Sequence, residues 1–336
     1  MLRWSFFVCF SLLTLINISS ACNDRAKKTS EFSEILSQPT FKSITDSLKK
    51  NSTNAGMYYR RGLLLEKNNY TDPALVDFQK AWSLSPQEEY GVAVSDILLQ
   101  KYPDSAIRFL NQALQKIPSS FFFKLSLAQV YINQNKPDEA LKIINDILAT
   151  EPRLVDAWMM KSDLLEKSNN ETESLKSLEK AYQLAPFDVD LSYELAYKYA
   201  ENKNPKALAL SDSLLEKDTS GSHAEPYYFK GVYFTNTGDK EKALHFFNLA
   251  IHHDYYLVNA YLEKGRILYE QRKFPEALKV FQLAATIKPT FADAYYWMGK
   301  CQEQLNQKEE ARLNYQRAYG LDKTLTEAKE AAERLN

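Results

Sequence analysis

The sequence predicts an all-α chain, a solenoid of about eight antiparallel helical hairpins with a C-terminal capping helix, and three observations predict it. The first is proline punctuation. Pro86, Pro118, Pro152, Pro186 and Pro289 are spaced by 32, 34, 34 and 103 residues, the last being three periods of 34 plus one. A second set, Pro73, Pro103, Pro137, Pro205 and Pro275, lies one to three residues before an alanine series, so that ten of the 12 prolines fall in two phases of one repeat. Proline is tolerated in the first turn of a helix and excluded from its interior, so one set ends helices and the other begins them. Each period is therefore a pair of helices.

The second observation is the alanine series itself: Ala74, Ala106, Ala140, Ala207, Ala243, Ala277 and Ala311, with Ser174 in the fourth place. A companion series follows seven residues later at Ala81, Ala113, Ala181, Ala250, Ala284 and Ala318, with Ile147 and Leu214 as exceptions. Small side chains at a fixed phase let two helices approach to about 8–10 Å. The third observation is Gly62, Gly231, Gly265 and Gly299 on the preceding helix, joined by Ala128 and Ala196 at equivalent positions. These read as packing positions, and enlarging one is expected to cost about 1–3 kcal/mol through overpacking.

The elements follow in order. Arg3 precedes residues 4–18, a run of 15 made mostly of Phe, Leu, Ile and Val and broken only by Ser, Thr, Cys and Asn. It is shorter than the roughly 20 residues that span hydrocarbon, so residues 1–21 read as a signal peptide. Ser19-Ser20-Ala21-Cys22 places small residues before a cysteine. It resembles the cleavage box of bacterial lipoproteins, with Ser19 where that family usually has Leu. The resemblance implies a diacylglyceryl group on Cys22 and a lipid anchor in a bacterial membrane, and Asn23, in place of the Asp of inner-membrane retention, points to the outer membrane. Ser19 and Ala21 equally suit ordinary signal-peptidase cleavage. Residues 22–39 read as a polar tether and 40–54 as an N-terminal helix on which Phe41, Ile44 and Leu48 share a face.

The repeats occupy residues 55–323 in eight units beginning near Ala55, Gln87, Phe121, Val155, Val189, Ala224, Val258 and Ala292. The array is irregular near 219–224, where the fifth unit lacks its terminal proline and Thr219-Ser220-Gly221-Ser222-His223 intervenes as a longer surface turn or a hinge. Residues 324–336 read as the capping helix. Thr324 and Glu327 have capping-box spacing, and Ala328, Ala331, Ala332 and Leu335 form an apolar stripe.

Tyr261, Gly265, Ala277, Phe281, Ala284 and Pro289 in one unit, and Tyr58, Gly62, Ala74, Phe78, Ala81 and Pro86 in another, resemble the tetratricopeptide repeat. The resemblance implies a right-handed superhelix whose first helices line a concave groove. Positions two, five, nine and twelve of each unit share one helical face. There lie Tyr59, Leu63, Phe122, Met159, Tyr193, Tyr197, Tyr228, Leu262, Arg266, Tyr269, Tyr296 and Lys300. Tyr59, Phe122, Tyr193, Tyr197, Tyr228, Arg266, Tyr269, Tyr296 and Lys300 are the candidate binding residues, because tyrosine gives large contact area with a polar tip and little entropy to lose. The same rings also suit seams between helices. The Lys and Asn set with which chaperone-tail binders of this family clamp a carboxylate is not in place, since Tyr59 and Leu63 stand there in the first unit.

Composition narrows the function classes. A formal charge of -1, from 42 basic and 43 acidic residues, with only isolated basic pairs such as Lys27-Lys28 and Lys49-Lys50, argues against nucleic acid. Nine scattered glycines supply no phosphate-cradling loop. Cys301 beside the patterned Gly299 reads as a packed side chain. His252 and His253 are adjacent and His245 lies two turns away, a spacing that does not suit a shared metal. No acidic pair is singled out for catalysis. The sequons at Asn51, Asn69 and Asn170 read as chance in an Asn-rich chain. Two readings remain: an anchored scaffold, without cofactor or catalysis, that binds other proteins or peptides in assembling a periplasmic or outer-membrane complex; or a receptor taking a peptide or oligosaccharide in the aromatic groove.

Overall fold

The computed structural model describes residues 32–218 and 223–335. The expected signal peptide, the lipidation candidate Cys22 and residues 219–222 of the insertion lie outside the described residues. Every labelled element among the described residues is an α-helix. The chain divides into two compact units, Met1–Pro152 and Arg153–Asn336.

In the first unit, α1 (Pro39–Lys50) packs on α2 (Ala55–Lys67), which pairs with α3 (Thr71–Leu84). Two further hairpins follow, α4 (Glu88–Lys101) with α5 (Pro103–Lys116) and α6 (Phe121–Asn133) with α7 (Pro137–Thr150). The second unit pairs α8 (Val155–Lys167) with α9 (Glu171–Leu184), α10 (Val189–Glu201) with α11 (Lys206–Lys217), and α12 (Glu225–Thr237) with α13 (Lys240–His253). It continues with α14 (Val258–Glu270) against α15 (Phe274–Ile287) and α16 (Ala292–Gln304) against α17 (Lys308–Leu321), and α18 (Thr326–Arg334) packs on α17. First helices of neighbouring hairpins also touch, α4 on α6, α10 on α12 and α14 on α16.

Local chemistry sets the helix ends. The side chains of Asn54, Ser120 and Asp188 accept hydrogen bonds from the backbone N–H of Met57, Phe123 and Leu191 at 3.0, 3.1 and 3.0 Å, satisfying donors that the first turn leaves open. Pro103 and Pro137 are the first residues of α5 and α7. Between the two helices of seven of the eight hairpins one residue takes positive φ: Asn69, Asn135, Asn169 and Asn306 at 57–64°, Lys203 at 56°, Arg272 at 60° and Gly238 at 88°, whereas Tyr102, alone between α4 and α5, stays at -141°. Asparagine visits this left-handed region more readily than most L-residues. Asn69, one of the sequon asparagines, therefore has a structural reason to be there.

The core is a repeated knot of a ring on a missing side chain. A Cβ built at Gly265 would meet the Phe281 ring at 2.4 Å, and Gly62 with Phe78, Gly231 with Phe247 and Gly299 with Tyr315 repeat the contact. Phe78, Phe247, Phe281 and Tyr315 are all at most 1% exposed, and each such burial stabilises by about 1.5–3 kcal/mol. Where Ser162 holds the glycine position and Ser174 the alanine position, the two pair instead, Oγ to Oγ at 3.0 Å, with Ser162 also donating to the Ser174 carbonyl at 2.9 Å. Cys301 is fully buried beside Phe281, and burial pushes its thiol up to about 12.

Two expectations at the chain ends need correction. The polar tether does not extend to residue 39: residues 32–37 are helical, and Phe32, Ile35 and Leu36 pack against the first core because their spacing puts them on one helical face. At the other end Thr324 forms no capping box with Glu327. Its hydroxyl and N–H both donate to Asp322 Oδ1, at 2.7 and 2.8 Å, and α18 begins after Leu325 with no side-chain cap. The nearer carboxylate, two residues upstream, takes both donors. The apolar stripe does pack, with Ala328 and Ala332 buried and Ala331 and Leu335 against them.

Candidate functional site

The nine candidate groove residues all lie on first helices of hairpins, in two sets, one within each unit.

In the first unit Tyr59 (α2) and Phe122 (α6) line one cavity of about 390 Å³ together with Leu63, Val92 and Ala93. Glu66, Glu88, Glu89 and Asp96 complete the lining. Val92 and Ala93 come from α4, as do three of the four carboxylates. Leu63 and Phe122 are 43% and 45% exposed, although apolar. Tyr59 is fixed by its ring against Tyr90 and Phe78, at 4.8 and 5.6 Å between centroids, and its hydroxyl is pushed up to about 12 by burial and then by Glu89. Burial, then Glu66, pushes the Asp96 carboxyl above the ordinary range.

In the second unit the rings form a run across α10 and α12. Tyr193 lies against Phe229 and His223, each at 5.9 Å, and Tyr197 stacks on Tyr228 at 6.3 Å with 14° between planes. Burial holds the hydroxyls of Tyr193 and Tyr197 near 12. Met159 packs against the same cluster and Leu262 against another. Arg266, Tyr269, Tyr296 and Lys300 come together around Trp297. Lys300 Nζ stands 4.9 Å from the Trp297 ring centroid, 5.6 Å from Tyr296 and 5.7 Å from Tyr269. Arg266 stands over the same indole at 5.6 Å and binds Glu263 Oε1 at 3.0 Å. Both cations are thus held by neighbouring rings, an attraction of about 0.5–1 kcal/mol each at exposed sites.

Sequence reasoning passed over Trp297 and the acidic residues of this face. Trp297 lies three residues before Lys300, a spacing that puts a ring and a cation on one helical face. Glu66 and Asp293 hold the twelfth and second places of their units, among the positions already assigned to the face. Burial, then Asp322, raises the Asp293 carboxyl, and burial raises that of Glu263 although Arg266 opposes it.

Among the described residues no group of three or more His, Cys, Asp or Glu side chains could hold a metal, and His253 stacks on Tyr227 at 4.7 Å. Nor is any helix there long and apolar enough to cross a membrane.

Sequence models of the tetratricopeptide repeat match residues 98–164, 265–306, and 55–88, 155–188 and 292–325, together more than half of the chain. Protein O-mannosyl-transferase TMTC1 of Mus musculus is 34% identical over 80 residues, 24% of this chain and 8% of that protein. The Homo sapiens protein of the same name is 29% identical over 94 residues, 28% of this chain and 11% of that one. The chain thus spans only a small part of these relatives. Among solved structures, a tetratricopeptide repeat protein from Parabacteroides merdae has a TM-score of 0.60 at 18% identity, covering 74% of this chain and 98% of that one. Yeast Tom70 has a TM-score of 0.54 at 18% identity, covering 79% and 59%. At such identities the likeness concerns the fold. Repeated helix pairs, the ring-on-glycine knot and three matching sequence models agree: the chain belongs to the tetratricopeptide repeat family.

Proposed function

We propose that this chain is a non-catalytic scaffold, exported and held at a bacterial membrane by a lipid on Cys22, that binds other proteins while a periplasmic or outer-membrane complex is assembled. One observation supports the binding role above the others. Apolar side chains that a closed core would bury, Leu63 and Phe122, remain nearly half exposed at a concave site of about 390 Å³ built from three successive first helices. Exposed apolar surface gathered in a concavity is what a partner's side chains displace water from. The proposal for Cys22 rests on the small residues before it.

Affinity purification of the full-length protein from its native membrane after mild crosslinking, with mass spectrometry of the partners and of the mature N-terminus, tests both parts. The reading expects a stoichiometric protein partner and an acylated Cys22. A monomer that carries no partner, but gains thermal stability from an oligosaccharide, would replace the scaffold with a receptor. Unchanged membrane fractionation of Cys22→Ala would remove the anchor.

A further inference from the structure

The cavity between α2, α4 and α6 is asymmetric in charge. Four carboxylates, Glu66, Glu88, Glu89 and Asp96, enter its lining, and no Lys, Arg or His does so. Two bases on the helices that line it are committed elsewhere: Arg61 is buried in a two-bond pair with Asp77, at 2.6 and 2.7 Å, and Lys101 pairs with Asp72 at 3.0 Å. The remaining lining is apolar or aromatic, with Tyr59 and Phe122 as its rings. Aromatic and aliphatic side chains interleaved with carboxylates suit a side chain with an apolar stem and a cationic head. About 390 Å³ lies within the range of roughly 300–1,000 Å³ typical of ligand sites.

We infer that the first-unit groove receives an extended basic segment of a partner protein, with an arginine or lysine of that segment seated in the cavity among Glu66, Glu89, Asp96 and the rings of Tyr59 and Phe122. This rests on the protein-binding reading above and specifies its partner by charge complementarity. It is the reverse of a carboxylate clamp. The raised Asp96 carboxyl agrees with it: the side chain stays solvent-exposed, yet partial desolvation, then Glu66, disfavours its charge, and an incoming cation would stabilise that charge. Such complementarity governs which partner binds and how fast it associates.

The test uses the full-length protein and three fluorescein-labelled decapeptides that alternate Leu with Arg, with neutral citrulline or with Glu, titrated by anisotropy at fixed salt. The Arg peptide is expected to bind at least about tenfold tighter than the citrulline peptide, and the Glu peptide not measurably. Glu66→Gln combined with Asp96→Asn should abolish most of the difference. Phe122→Ala should weaken the Arg and citrulline peptides alike, while Glu330→Gln on α18 should change nothing. Circular dichroism confirms that each variant folds, and because Glu66 and Phe122 are exposed their replacement leaves the core intact. Equal binding of Arg and citrulline peptides, undiminished binding by the double variant, or spermidine competing as strongly as the Arg peptide would overturn the inference. If the crosslinked wild-type protein captures a partner and the double variant captures it equally, the scaffold stands and the basic-segment inference fails; capture of no partner by wild type removes the scaffold reading itself.

Discussion

Replacing Gly265 by alanine probes the packing rule on which the whole array depends. Two opposing effects meet at this position. Alanine in a helix interior is favoured over glycine by about 1 kcal/mol. The added Cβ, however, would lie 2.4 Å from Phe281 Cε1 and 2.6 Å from Cζ, where carbon atoms prefer about 3.5–4.0 Å. The ring must retreat by more than about 1 Å in a core where Phe281 is fully buried and Trp297 stacks on it at 5.9 Å. Overpacking of this kind costs about 1–3 kcal/mol, which leaves a net loss of up to about 2 kcal/mol. Gly320, near the end of α17, is the matched control, because a Cβ there meets nothing within 4 Å. Gly320→Ala should therefore gain a few tenths of a kcal/mol to about 1. Urea unfolding followed by far-ultraviolet circular dichroism reads both, and Gly265→Ala with Phe281→Leu should recover part of the loss by making room. If Gly265→Ala raises stability as much as Gly320→Ala, close approach is not what places glycine in these helices.

Three further outcomes follow from the same structure. Arg61→Met strands the Asp77 carboxylate, 2% exposed, and should cost about 3–5 kcal/mol in urea titration, whereas Arg61→Met with Asp77→Leu should recover most of it; equal losses would mean the pair is not coupled. Arg272→Gly relieves an L-residue at φ 60° and should stabilise by about 1 kcal/mol, with Asn306→Gly close to neutral in the same assay. The hydroxyls of Tyr59, Tyr193, Tyr197 and Tyr261 are pushed up to about 12, mainly by burial, while an unfolded tyrosine ionises near 10. Above about pH 10 the unfolded chain releases these protons first, so stability is full below that pH and falls as pH rises towards 12; a urea midpoint unchanged between pH 9 and pH 11 would contradict the burial.

What the sequence disclosed and what it concealed divide along the range of the interactions. Proline and alanine phases mark the hairpins because their causes are local: a ring that cannot continue a helix, and a small side chain that lets its neighbour approach. The glycine series is legible for the same reason, and the partner ring lies at a constant 16 residues, as from Gly265 to Phe281 and Gly299 to Tyr315. The left-handed turn was harder to see, because Lys203 and Arg272 occupy two of its places and break the asparagine pattern. The packed residues 32–37 are half polar and adjoin a polar stretch, so that only the spacing of Phe32, Ile35 and Leu36 betrays them. The first-unit cavity needs residues from α2, α4 and α6 at once, up to 63 positions apart between Tyr59 and Phe122, and no local pattern announces its acidic wall. Candidate groove positions could be assigned to one helical face, yet that Lys300 would be caged by three rings, including the overlooked Trp297, depends on how α14 and α16 pack.

Whether the first-helix face binds protein can be read from a photocrosslinking amino acid placed at Phe122 and, separately, at Leu313 on α17, which is 57% exposed. After irradiation of the full-length protein in its native membrane, a discrete crosslinked protein is expected at position 122 and none at position 313. A crosslink at 313 alone, with nothing captured at 122, would contradict it and move the binding surface to the second helices.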